Sequence, residues 1–276
     1  MVTAIASRPV VPVVPVVLVV PVVPVVPVVP VVPVVPVVLA ADWLARAAKA
    51  CRPDLVCTSL RDLKVLRGIK LEGFGRGGLW LSARARQVSN GQGALLALEL
   101  RGAGGALHYS ATAEMATRAT TARAPVVAPR GEAIAQVYGG PVLFHGPRFH
   151  VIRAVDELSD GSASATLART SDLGWGQQAW SIDPGALDGA LQLALLWAAR
   201  VQGGKTLPMA VGELKLHGGG SVDGPLRATL RRRDVRDARA LSDVTLVDAS
   251  GAVAAELLGV ETVLVPSSSV AVQPKA

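Results

Sequence analysis

Two polar side chains interrupt an otherwise apolar run, Asp183-Pro184-Gly-Ala-Leu-Asp188-Gly-Ala-Leu-Gln192-Leu-Ala-Leu-Leu-Trp197. Asp188 and Gln192 are four residues apart, so on a helix they share one face. A carboxyl set in an apolar wall is driven toward its protonated form. A group that keeps its proton near neutrality can hand it to a leaving group. The nearby helix N-terminus opposes this, because its dipole favours the anion. The chemistry on offer is therefore general acid catalysis, weighed against a structural aspartate bonded to a neighbouring strand.

The chain holds four histidines, at 108, 145, 150 and 217. His108 reads as an exposed or satisfied strand residue or, alternatively, as a substitute base. His145, beside Gly146-Pro147, lines a substrate channel or stabilises a turn. His150 alternates with Phe149 and is expected to face solvent, and His217 is expected to be structural. No pair has metal-ligand spacing, so no metal is expected. Cys51 and Cys57, with five residues between them, read as reduced thiols in a cytoplasmic protein. The arginines at 231–233, 236 and 239 are interleaved with Asp234 and Asp237. Without interleaved aromatics they read as a solvated strand face, not a nucleic-acid site.

The elements that must position these groups are legible as well. Asp183 is a good N-cap and Pro184 suits the first helical position, so a buried helix is expected over 184–201. A second helix is expected over about 38–51, with Leu39, Trp43, Ala47 and Cys51 on one face, an Asp42–Arg46 pair opposite, and Pro53 as its stop. Strand-like runs fall at 57–71, 79–88, 94–101, 105–113, 148–157, 162–169, 209–217, 226–233, 241–248 and 252–265. Asn90-Gly91, Asp160-Gly161 and Asp248-Ala-Ser-Gly251 supply turns. Residues 116–133 read as a linker between a first unit, 1–115, and a second, 134–265. The tail at 266–276 reads as loose. The tracts at 39–48 and 191–200 look alike, as an internal duplication would leave them.

The first unit contains a repeat. Proline recurs every third residue at 9, 12, 15, 21, 24, 27, 30, 33 and 36, with valine nearly everywhere between. The segment is uncharged and apolar enough to mimic a membrane span. Prolines at that spacing remove the amide donors a lipid-exposed helix needs, so no membrane crossing is expected. An extended or polyproline II path is the allowed geometry. Either the run is a structured part of a domain or it stands where another sequence belongs. The net charge of +7 and the 50% apolar content exclude a polar disordered chain.

Asp188-Gly-Ala-Leu-Gln192 resembles the Asp-x-x-x-Gln motif of dehydratase domains in polyketide synthases and polyunsaturated fatty acid synthases. Phe144-His145-Gly146-Pro147-Arg148-Phe149 is similar to the family's Tyr-Gly-Pro-x-Phe segment, with His145 at the tyrosine position. Leu207-Pro208 followed by Leu216-His217 is similar to its Leu-Pro…Leu-His strand. The tract at 36–45 is similar to its first-half helix. The resemblance implies an α+β double hot-dog fold: two antiparallel sheets, each wrapped round a central helix.

It also implies dehydration of a 3-hydroxyacyl chain to the 2-enoyl thioester. The substrate would ride on the phosphopantetheine of an acyl carrier protein, within fatty-acid-like biosynthesis, and no other cofactor would be needed. The implied roles are Asp188 as acid and Gln192 as its helper, with His145, Gly146, Pro147, Phe149, Leu207 and Pro208 along the channel. The implied partners are the carrier protein, neighbouring synthase domains and a second copy. The family's base lies in His-x-x-x-Gly-x-x-x-x-Pro. With its proline at Pro36, the glycine position is Val31 and the histidine position is Pro27, and residues 1–107 contain no histidine. The alternative is therefore an inactive dehydratase-like module that holds or scaffolds acyl chains. A hot-dog thioesterase is disfavoured, since no base or nucleophile is placed for hydrolysis.

Overall fold

The computed structural model describes residues 16–17, 34–71, 79–90, 93–126, 134, 136–175, 180–218 and 224–265. Pro27, Val31, Gly91, residues 127–133 of the expected linker and the 266–276 tail lie outside the described residues.

Among the described residues two α-helices and eleven strands follow one another as β1 (Val16–Val17), α1 (Val37–Cys51), β2 (Val56–Val65), β3 (Leu81–Asn90), β4 (Ala94–Gly102), β5 (Leu107–Ala116), β6 (Ile152–Leu158), β7 (Ser162–Leu167), α2 (Pro184–Gln202), β8 (Thr206–Leu216), β9 (Leu226–Arg236), β10 (Arg239–Val247) and β11 (Val253–Leu264). The strands form one antiparallel sheet in the order β1-β3-β4-β5-β2-β8-β11-β10-β9-β7-β6. β2 pairs with β8 at the middle, Leu60 opposite Leu214 and Leu63 opposite Val211. On one side of that seam the sheet wraps α1; on the other it wraps α2. This is the expected α+β double hot-dog.

Alternation explains the wrapping. Along β4 every second residue is buried from Ala94 to Leu100, so Ala94, Leu96, Leu98 and Leu100 face the helix. α1 meets the sheet through Ala40, Ala41, Ala45, Ala47 and Ala48, all essentially sealed from water. Small side chains let the sheet curl closely, and Trp43 and Leu44 supply the bulk.

α2 begins as its sequence dictates. Asp183 Oδ1 accepts from Ala186 N at 3.0 Å and Pro184 takes the first turn. Its last turn ends at Gly203, whose φ of 74° is the left-handed cap glycine permits. Gly189 is needed for approach instead: a Cβ there would meet Leu167 Cδ1 and Val151 Cγ1, each at 2.9 Å. Its bare backbone brings α2 down onto β7 and the segment entering β6.

The structure departs from expectation at four places. The run at 148–157 does not begin as a strand. Pro147–Phe149 form a 3₁₀ turn closed by Phe149 N on Gly146 O at 2.8 Å, because the proline ring fixes a helical φ. The 57–71 run leaves the strand after Val65. Residues 117–126 of the expected linker lie along the second half, with Gly218 N bonded to Thr120 O and Val253 N to Ala122 O. Asp42, expected on the open face of α1, is 0% exposed. It pairs with Arg46 at 2.7 Å and accepts from Ser181 N at 2.8 Å and Ile182 N at 3.3 Å, so α1 is tied to the segment that enters α2.

Candidate active site

Asp188 and Gln192 share one face of α2, as the spacing requires, and are 3% and 0% exposed. Gln192 fixes the arrangement. Its Nε2 donates to Asp188 Oδ2 at 2.6 Å and to Phe149 O at 2.8 Å, while its Oε1 accepts from Tyr138 Oη at 2.7 Å. Tyr138 in turn accepts from Ile152 N at 2.7 Å. An amide with two acceptors on one end and a donor on the other cannot flip without losing these bonds. Gln192 therefore holds the Asp188 carboxyl in one orientation.

His145 brings its Nε2 to 3.6 Å from Asp188 Oδ2. Burial raises the Asp188 pKa above the usual carboxylate value, with His145 and the Gln192 bond pulling the other way. Burial lowers the pKa of His145, opposed by Asp188 and reinforced by His150. The two shifts have the same sense: burial favours the uncharged form of each group. The expectation of a proton-holding carboxyl in an apolar wall is met in direction, and desolvation is its cause.

The turn that carries His145 is built from Gly146, Pro147 and Phe149. Phe149 is buried, packs edge-on against Trp175 at 4.7 Å between ring centroids, and presents its carbonyl to Gln192. Trp175 donates to Arg148 O at 3.0 Å and lies 5.9 Å from Trp180, over which the Arg46 guanidinium sits at 5.3 Å. Phe144 stacks on the His145 ring at 4.7 Å and is 57% exposed.

His150, expected to face solvent, is half-buried and stacks on Tyr138 at 3.9 Å, its Nε2 3.1 Å from His145 O. Aromatic stacking there outweighs the alternation pattern, because Phe149 and His150 are not on a strand. Leu207 and Pro208 open β8, which starts beside the end of α2, about 20 Å along the helix from Asp188. The structure does not bring them to the acid, and Leu207 is exposed. His108 Nδ1 lies 3.0 Å from Arg67 O. His217 is held between Glu256 Oε2 and Thr120 Oγ1, each at 3.0 Å.

Two gaps adjoin α2. A cavity of about 240 Å³ is lined by Arg169, Ala186, Leu187, Leu216, His217 and Leu246, among others, and a small apolar gap separates α1 from α2. Neither is lined by Asp188 or Gln192. Among the described residues no three of His, Cys, Asp and Glu are grouped to hold a metal ion, and no helix is long and apolar enough to cross a membrane.

Sequence reasoning missed Tyr138, Trp175 and Trp180, and placed Asp42 on an open face of α1. The clustering of Trp175 and Trp180 just before the Asp183 cap was the available signal for those two. Tyr138, in Tyr-Gly-Gly-Pro, sits in a stretch with no periodicity to read.

The model of the polyketide synthase dehydratase N-terminal domain family matches residues 112–271, a span that includes α2 and Asp188. No curated protein matches the chain. Among solved structures, the dehydratase domain from the CurF module of curacin polyketide synthase is 18% identical, with a TM-score of 0.66 over 84% of each chain. The dehydratase domain of PpsC from Mycobacterium tuberculosis, in complex with C12:1-CoA, is 20% identical, with a TM-score of 0.64 over 85% of this chain and 86% of that one. A bifunctional dehydratase-cyclase domain in ambruticin biosynthesis is 22% identical, with a TM-score of 0.62 over 86% and 85%. The fold likeness reaches across both halves while the family model spans more than half of the residues, and on that ground the chain belongs to the polyketide synthase dehydratase family.

Proposed function

We propose that the chain eliminates water from a 3-hydroxyacyl thioester carried on the phosphopantetheine of an acyl carrier protein, giving the 2-enoyl thioester. One observation carries the reading: Asp188 is a carboxyl buried on α2 and held in one orientation by Gln192, with burial raising its pKa in the direction a donor to a leaving hydroxyl needs. Family membership supports the reaction class, and a C12:1-CoA complex of a similar domain supports an acyl thioester as ligand. The same reading puts the chain in the cytoplasm, beside neighbouring synthase domains and paired with a second copy. No cofactor beyond the carrier's arm is required.

The test is dehydration of a 3-hydroxyacyl carrier protein, or of its short thioester mimic, followed by mass spectrometry for the loss of water. Turnover by the parent chain that Asp188→Asn abolishes while substrate still binds supports the reading. Unchanged turnover in Asp188→Asn overturns it. A second reading, an inactive module that holds acyl chains, rests on the absence of histidine from residues 1–107. Substrate binding with no water loss would favour it.

A further inference from the structure

We infer that His145 is the general base of this chain, working beside Asp188 as the second half of an acid–base pair. The inference rests on the dehydratase reading, since elimination needs a group to accept the C2 proton as well as one to serve the C3 hydroxyl.

The four histidines of the chain separate by their surroundings. His217 is committed to Glu256 and Thr120. His108 is bonded to Arg67 O. His150 is stacked on Tyr138 and reaches the His145 carbonyl. His145 differs from all three. Its Nε2 faces the acid at 3.6 Å, and its Nδ1 is buried with no hydrogen-bond partner among the described residues. A buried ring nitrogen left without a partner costs about 1–3 kcal/mol, and a proton brought by substrate would relieve that cost.

The separation suits the reaction. C2 and C3 of the substrate are bonded neighbours, so the two protein groups must also be close. In the step, a lone pair on His145 takes the C2 proton and the C–H electrons become the C2=C3 bond. The C3–O bond breaks, and the departing hydroxyl takes the Asp188 proton and leaves as water. The imidazolium and carboxylate that remain lie face to face. Water entering as product leaves returns a proton from one to the other, with no net change in the enzyme. The groups facing His145 are Asp188 on α2 and His150 at the end of its own turn. The step begins from an uncharged pair, the form that burial favours in each group.

The experiment uses the full chain, its Val-Val-Pro repeat verified by intact mass, and the short 3-hydroxyacyl thioester. His145→Ala and the bulkier, non-basic His145→Gln are compared with the parent, and circular dichroism checks that each is folded. The expected result is a fall in kcat of about 10²–10⁴-fold in both, with KM little changed. Free imidazole is expected to restore part of the rate to His145→Ala, in proportion to its neutral fraction. Turnover within threefold of the parent in a folded variant overturns the assignment, as does a loss that imidazole leaves untouched. A parent chain that is active, silenced by Asp188→Asn and indifferent to His145→Gln overturns this inference alone. A parent chain that removes no water overturns the dehydratase reading and the base with it.

Discussion

Asp188 is held in a state that costs the protein stability. Its folded pKa lies above the model value of 3.8, so the folded form binds the extra proton. Stability therefore falls as pH rises from that unfolded value through the raised folded one, and stays lower above it. His145 has the opposite sign: its folded pKa lies below 6.5, so stability rises with pH between the lowered folded value and 6.5. Asp188→Asn removes the first loss. It is expected to raise the melting temperature relative to the parent at pH 8 more than at pH 4, while ending turnover. A parent-minus-variant difference that is flat with pH would refute this. Tyr138→Phe should cost about 1–3 kcal/mol in urea denaturation, because the Gln192 Oε1 and the Ile152 amide both lose a partner. It should also lower turnover, since Gln192 is then free to turn away from Asp188.

The elements show how much the sequence can say. α2 was legible because Asp183-Pro184 writes its start and because no charge save Asp188 interrupts it before Arg200 in its last turn. Its bared face at Gly189 was not, since glycine in a helix reads the same whether it serves packing or nothing. Gly189→Ala should cost about 1–3 kcal/mol by forcing α2 away from Val151 and Leu167, checked by denaturant midpoint at constant m-value. Asp42 was misread for a similar reason. An i,i+4 pair with Arg46 looks alike on a solvated face and on a buried one, and only the distant Ser181 and Ile182 amides distinguish them. Asp42→Ala should destabilise by about 1.5–3 kcal/mol, and Asp42→Asn, which can still accept from both amides, by less. The acid was legible for its chemistry. Tyr138 and the neighbourhood of His145 were not, because a turn and a loop of Gly and Pro bring them to α2 with no period to follow.

Across the whole molecule, the seam between β2 and β8 makes one sheet of two units, and no local pattern in either strand announces its partner across some 150 residues. Leu60 and Leu214 are both buried there. Leu214→Ala should cost about 2–5 kcal/mol, and fluorescence of Trp43 on one side and Trp197 on the other should still report a shared transition. Separate midpoints would show that the halves unfold independently. The proposed pairing with a second copy is checked by mass in solution at micromolar concentration, where a monomer would count against it.

The bond from Asp42 to the amides of Ser181 and Ile182 also bears on recombination. A crossover placed in the 116–133 stretch would seem a natural seam for exchanging halves between related synthases. It would hand α2 a new first half, and the residue at position 42 of the newcomer would decide whether the stretch before the acid-bearing helix is still tethered. The strand-like crossing of Thr120–Ala124 over β8 and the start of β11 would travel with whichever side kept it. Chimeras that preserve an acceptor at position 42 should express as folded protein, and those that place alanine or valine there should be recovered poorly. Inheritance of these two halves is thereby coupled through one carboxylate.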